Sequence, residues 1–102
     1  MLNMGTRENK VETYLKNKVK AAGGISRKWV SPGHDGVTDQ IVRLPHWAKG
    51  VVYMIEIKTD DGRCSTPQLR EQTRLSQAGC NVVTLYGEAD VDVFFELYGR
   101  KR

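Results

Sequence analysis

An acid and an ammonium two residues apart close an apolar run, with Glu56 and Lys58 at the end of VVYMIEIK, residues 51–58. On an extended chain they point the same way, together with Val52 and Met54, while Val51, Tyr53, Ile55 and Ile57 take the other face. One reading is a half-exposed strand whose outer face ends in a solvated Glu and Lys. Val52 and Met54 argue instead for a buried face that emerges into a cleft at the charged pair. A second acid, Asp39, follows the Gly-rich turn of SPGHDGVTD. Alone it reads as a turn carboxylate bonded to nearby backbone N–H groups. If its strand pairs with residues 51–58, Asp39 and Glu56 converge at one end of a sheet. Converging carboxylates repel unless something positive lies between them, and a small hard ion such as Mg²⁺, which takes one or two carboxylates plus water and substrate phosphate, would satisfy both.

The first helix offers further acids. On an ideal helix with Glu8 at zero, Val11, Leu15, Val19 and Ala22 fall near roughly 300°, 340°, 20° and 320°, and Glu12 near about 40°. Glu8 therefore lies inside the apolar stripe and Glu12 at its edge. The helix macrodipole favours an acid in the first turn, which accounts for a terminal acid but not for one facing the core. Both remain candidates for a site acid. Gln68 stands three residues after Ser65, as in a capping box, although Thr66 is a rival cap that would make Pro67 the first helical residue. His34, Asp35 and His46 occupy polar loops without fixed spacing and read as surface residues. Trp29 and Trp47 read as packing or interface groups.

The elements that must position these groups follow from periodicity and punctuation. Residues 7 to about 22 predict a helix capped by Thr6 and stopped by Gly23-Gly24. A short strand over 25–30, the loop SPGHDG and a strand over 38–44 follow; Pro45 ends that strand, and residues 45–50 form a hairpin connection carrying Trp47. After the strand over 51–58, Asp60-Asp61-Gly62 makes a turn and a second helix runs from Ser65-Thr66-Pro67 to about Ala78. A strand over 81–86, a helix over 89–98 and a frayed basic tail at about 99–102 complete the chain. This order predicts an α/β fold of the mixed α+β kind, one mixed sheet flanked by helices. In the last helix Val91, Val93, Phe94, Phe95, Leu97 and Tyr98 spread around the axis, as for an inserted core helix or one whose second face a partner copy covers.

The 102 residues, 39% apolar and 27% charged, describe one globular domain rather than a disordered or membrane-spanning segment. No apolar run approaches the ~20 residues of a spanning helix, and MLNMGTRENK has no apolar core of a secretory signal, so an intracellular protein is expected. Cys64 and Cys80 lack metal or redox spacing and are expected to be reduced. Sixteen Lys and Arg against twelve Asp and Glu give a net charge of +4, which favours an anionic partner. Lys10, Lys16, Lys18, Lys20, Arg63, Arg70, Arg74, Arg100, Lys101 and Arg102 fall on solvent faces. Around a carboxylate cluster, Lys10, Arg63, Arg70 and Arg74 would hold a phosphate backbone without reading sequence.

Taken in order, RENKVETYL, SPGHDGVTDQIV, YMIEIK and GRCSTPQ resemble the virus-type replication-repair nuclease family, part of the restriction-endonuclease-like group whose signature is an Asp followed by Glu-x-Lys. The resemblance spans nearly the whole chain and implies a restriction-endonuclease-like core and a single stand-alone nuclease domain over residues 1–102. It also implies that Asp39, Glu56 and the main-chain carbonyl of Ile57 hold Mg²⁺ or Mn²⁺, with Glu8 as the helix-one acid and a further candidate ligand. Lys58 would orient the attacking water or stabilise the charged phosphate, and Gln68 would stand beside the site. Thr38 departs from the family, which often has Pro there. Short stand-alone members look like phage enzymes that resemble Holliday-junction resolvases. The implied activity is therefore metal-dependent endonucleolytic cleavage of branched DNA, four-way junctions above all, in the cytoplasm of a bacterial host. A homodimer is expected, since so short a chain has little surface for both a site and a junction, and twofold-related sites suit paired incisions. The alternatives are a basic DNA-binding module with this fold and no hydrolysis, which has no need of all of Glu8, Asp39, Glu56 and Lys58, and a restriction-like enzyme with sequence preference, for which no added specificity segment is evident.

Overall fold

Val11, Leu15 and Val19 recur down one side of α1 (Met4–Ala21) and are buried, as their helical spacing requires. The computed structural model describes residues 4–100; Lys101 and Arg102 of the basic tail lie outside the described residues. Thr6 is not the cap of α1, because it lies inside the helix, which already includes Met4. A helix extends until something breaks it, and no proline stands upstream to do so. Its other end is as expected. Gly23 has φ +76°, and a Cβ on Gly24 would sit 2.5 Å from the carbonyl oxygen of Arg43 and 2.6 Å from Leu44. Only glycine lets the chain leave α1 this close to the sheet.

The sheet contains β1 (Ile25–Lys28), β2 (Gln40–Arg43), β3 (Tyr53–Lys58) and β4 (Asn81–Tyr86) in that spatial order. β1/β2 and β2/β3 are antiparallel and β3/β4 parallel. The parallel pair is joined by α2 (Thr66–Gln77), and α3 (Gly87–Tyr98) follows β4 directly. The first three strands are shorter than expected from sequence. The amide of Trp29 still donates to the carbonyl of Asp39, but Leu44 and Val51 are drawn into turns with Trp47 and Ala48. Turn closure removes those residues from the ladder. α3 begins at Gly87 rather than Ala89, since the positive φ of Gly87 turns the chain straight from strand to helix.

The register Gln40↔Ile55 and Ile57↔Leu85 puts Gln40, Val42, Ile55, Ile57 and Leu85 on one face of the sheet. Residues on this face pack with Val11, Leu15 and Val19 of α1 and Val91 and Phe94 of α3. The opposite face carries Met54, Glu56, Lys58 and Thr84 and is bonded to α2 by Gln68–Glu56 and Gln72–Thr84. Ile55, Glu56 and Ile57 are consecutively buried, so the strand is covered on both faces and the half-exposed reading of β3 fails. Trp47 is a packing group, its ring 5.0 Å from that of Tyr53 and its Nε1 donating to the carbonyl of Tyr98 at 2.7 Å. On α3, Val91 and Phe94 are inside, while Val93 and Leu97 are exposed. Among the described residues no helix is long and apolar enough to cross a membrane. Leu15 is fully buried; Leu15→Ala should lower the unfolding free energy by about 2–5 kcal/mol in urea titration, and a loss under about 1 kcal/mol would show that α1 is not seated as described.

Candidate active site

β3 delivers Glu56 and Lys58 to one end of the sheet, and three neighbouring elements close around them. One Gln68 side chain both closes the capping box and touches Glu56. Ser65 is the N-cap of α2, which makes Pro67 the second helical residue; the Ser65 amide donates to Gln68 Oε1 at 2.8 Å and the Gln68 amide to Ser65 Oγ at 3.3 Å. That leaves the Gln68 Nε2 free to donate to Glu56 Oε2 at 2.9 Å. Cap geometry therefore aims the amide at the acid.

Asp39 stands just before β2, one step beyond the Gln40↔Ile55 pair, which places it level with Glu56. Its Oδ2 accepts the amide of Ile57 at 2.8 Å. Lys58 Nζ lies 3.7 Å from Glu56 Oε2 and 3.9 Å from Glu8 Oε1. The geometry separates the two helix-one acids. Glu8 reaches Lys58, whereas Glu12, a turn later, accepts from Gln40 Nε2 at 2.5 Å and pairs with Lys16 at 3.4 Å. Arg7 helps hold Glu8 there: it pairs with Asp61 at 2.9 Å and Asp60 at 3.3 Å, in the turn that follows β3. The hydroxyl of Thr59 and then Arg7 hold the Asp61 carboxyl below its usual range.

The electrostatic centre is Glu56, only 1% exposed. Burial, and then the charge of Asp39, push its pKa up to about 8, with Lys58 opposing them. Its Oε1 is buried and has no hydrogen-bond partner among the described residues. A buried carboxylate oxygen without a donor costs free energy unless a proton or a cation takes it up. No group of three or more His, Cys, Asp and Glu side chains gathers in metal-holding fashion among the described residues. Two carboxylates, joined by a main-chain oxygen and water, would nevertheless make the all-oxygen set that a small hard ion accepts. Such a set can hold a cation against a phosphate beside a fixed ammonium and amide.

The four basic residues singled out for nucleic acid differ in their surroundings. Lys10 is exposed and lines a crevice with Arg7, Thr59 and Tyr86. Arg63 and Arg70 are exposed near the start of α2, but Arg74 directs its Nη1 to Glu71 at 3.1 Å. Cys64 and Cys80 are free thiols, as expected. The sequence reading missed Glu71, which is buried and accepts from both Arg74 and His34, the latter at 2.8 Å. His34 is thus exposed yet tethered. No local signal marks this pair, whose members lie 37 residues apart.

No family model matches the chain. It is similar to a protein described as "Putative nuclease p44" from Acyrthosiphon pisum secondary endosymbiont phage 1, with 39% identity over 79 residues, 78% of this chain and 82% of the relative. It is also similar to a solved structure described as a VRR_NUC domain, with a TM-score of 0.80 and 33% identity over 90% of this chain and 97% of that one.

Proposed function

The chain belongs to the virus-type replication-repair nuclease (VRR_NUC) family, and from that premise we propose that it is a metal-dependent endonuclease that hydrolyses phosphodiester bonds in branched DNA, four-way junctions above all. The observation that carries the reading is the buried, unpartnered Oε1 of Glu56, beside an Asp39 that is itself held by the Ile57 amide. Asp39, Glu56 and the main-chain carbonyl of Ile57 would hold Mg²⁺ or Mn²⁺, with Glu8 beside them. The ion would supply an activated water and a Lewis acid on the phosphoryl oxygen.

This chain's own side chains do the rest. Lys58, a compact cation 3.7 Å from Glu56, orients the water or neutralises charge developing on the phosphate. Gln68 keeps Glu56 Oε2 in place from a rigid helix start. Lys10, Arg63 and Arg70 bind the flanking backbone without sequence preference, and Arg74 adds to them with the donors that Glu71 leaves open. Two copies in a homodimer would present paired sites to a symmetric junction, in the cytoplasm of a bacterial host.

End-labelled four-way junctions, flaps and linear duplexes should separate the possibilities when incubated with Mg²⁺, with Mn²⁺ and with chelator. Cleavage of the four-way junction in either metal and none in chelator is expected. DNA that is bound but uncut in every metal would replace this reading with a binding module, and equal cutting of linear duplexes would remove the junction preference.

A further inference from the structure

The loop that ends in Asp39 does not rest on its own strand but on α2. Gly36, at φ +88°, brings the loop backbone so close to the first turn of α2 that a Cβ there would lie 2.5 Å from the Pro67 carbonyl oxygen. One turn further along α2, Glu71 is 7% exposed and takes the Nε2–H of His34, two residues before Gly36, at 2.8 Å. A carboxylate can only accept here, so His34 is the donor. The hydrogen bond from His34 and the one from Arg74 hold the Glu71 carboxyl below its usual range, against its burial, so it is ionised and unable to release the histidine by protonation near neutral pH. α2 thus carries two functions on one face: Gln68 touches Glu56, and Glu71 grips the segment leading to Asp39.

We propose that His34 and Glu71 are positioning residues that clamp the loop of residues 31–38 to α2 and so set the Asp39 carboxylate against the Ile57 amide. The clamp rests on the reading of Asp39 as a metal ligand only for its effect on metal affinity. Without it the loop retains the Gly36–Pro67 packing and the Trp29–Asp39 backbone bond, enough to fold but not to fix a side chain at hydrogen-bond precision. Outer partners of this kind change metal affinity or activity by about ten- to a hundredfold when removed.

The clamp has a reporter that needs neither metal nor DNA, the Ile57 amide bonded to Asp39 Oδ2. In His34→Ala, whose side chain is half exposed, the Ile57 amide should shift and exchange its hydrogen faster in NMR, while amides in the middle of α1 stay as in the wild type. The Mg²⁺ or Mn²⁺ concentration for half-maximal junction cleavage should rise about tenfold with the maximal rate changed less than about twofold. Glu71→Gln keeps an acceptor for both donors and should restore most of what Glu71→Ala loses, whereas Glu71→Met, of similar size but with no carboxyl oxygen, should not; a role in packing alone would let Met restore it as well as Gln. An unchanged Ile57 amide in His34→Ala overturns the clamp. A changed Ile57 amide in a protein whose wild type neither binds metal nor cuts DNA would uphold the clamp and overturn the nuclease reading.

Discussion

Replacing Glu56 with Gln should lower metal-dependent cleavage by about a thousandfold or more while raising the thermal midpoint of the metal-free protein. Both effects come from the same buried oxygen. An amide is a poor cation ligand, so the proposed ion loses one of its two carboxylates; the fold, however, no longer has to ionise a group that burial and Asp39 have pushed up to about 8. The direction with pH follows from linkage. An unfolded Glu titrates near 4.5, so between about 4.5 and 8 the native wild type holds a proton that the unfolded chain releases, and its stability falls as pH rises through that window. Gln does not titrate. The advantage of Glu56→Gln should therefore be small near pH 4.5 and greatest from about pH 8 upward, on the order of a few kcal/mol, or roughly 10–25 °C in a domain of this size. DNA binding through the proposed contacts of Lys10, Arg63 and Arg70 should persist. Scanning calorimetry at several pH values beside a cleavage assay checks both halves. A variant that cuts at the wild-type rate removes Glu56 from the mechanism, and an advantage that does not grow with pH removes the electrostatic argument.

Gly36→Ala is expected to damage the site through the backbone. The added Cβ would meet the Pro67 carbonyl oxygen at 2.5 Å and its carbon at 2.7 Å, and neither is a flexible side-chain end that could turn away. The positive φ adds about 1–2 kcal/mol of its own for a residue with a Cβ. Together these should cost about 2–4 kcal/mol of stability and lift the loop off α2, carrying Asp39 with it. A displacement of about 1 Å at a reacting group costs on the order of a hundredfold in rate, so cleavage should fall by that factor even in the folded fraction. Gly33→Ala is the control. Gly33 also has a positive φ, +77°, but nothing lies within 4 Å of its Cβ position, so only the backbone penalty should appear and cleavage should stay near the wild-type rate. If the two variants lose the same activity at equal folded fraction, the contact with Pro67 does not position the site.

Most of what places the chemistry was legible along the chain because it is short-range. The Glu56/Lys58 face follows from the two-residue period of a strand, the Gln68 cap from a three-residue spacing, and the stripe of Val11, Leu15 and Val19 from helical periodicity. The element order and the sheet with helices on both faces are those expected. Boundaries were less legible. Thr6 has the chemistry of a cap but sits within α1, since a cap residue only favours a helix start and does not impose one.

By itself, then, the sequence determined the elements, their order, the shared direction of Glu56 and Lys58 on β3 and the Gln68 cap of α2, since spacing along a helix or strand sets which way a side chain points. Only the tertiary structure put Glu8 rather than Glu12 against Lys58, buried Glu56 deeply enough to raise its pKa, and paired His34 with Glu71. Each of these depends on the distance between groups remote in the chain and on how much water the packing excludes. No local pattern encodes either quantity, because a pairing such as His34 with Glu71 is settled only when α2 docks on the sheet and the two segments meet.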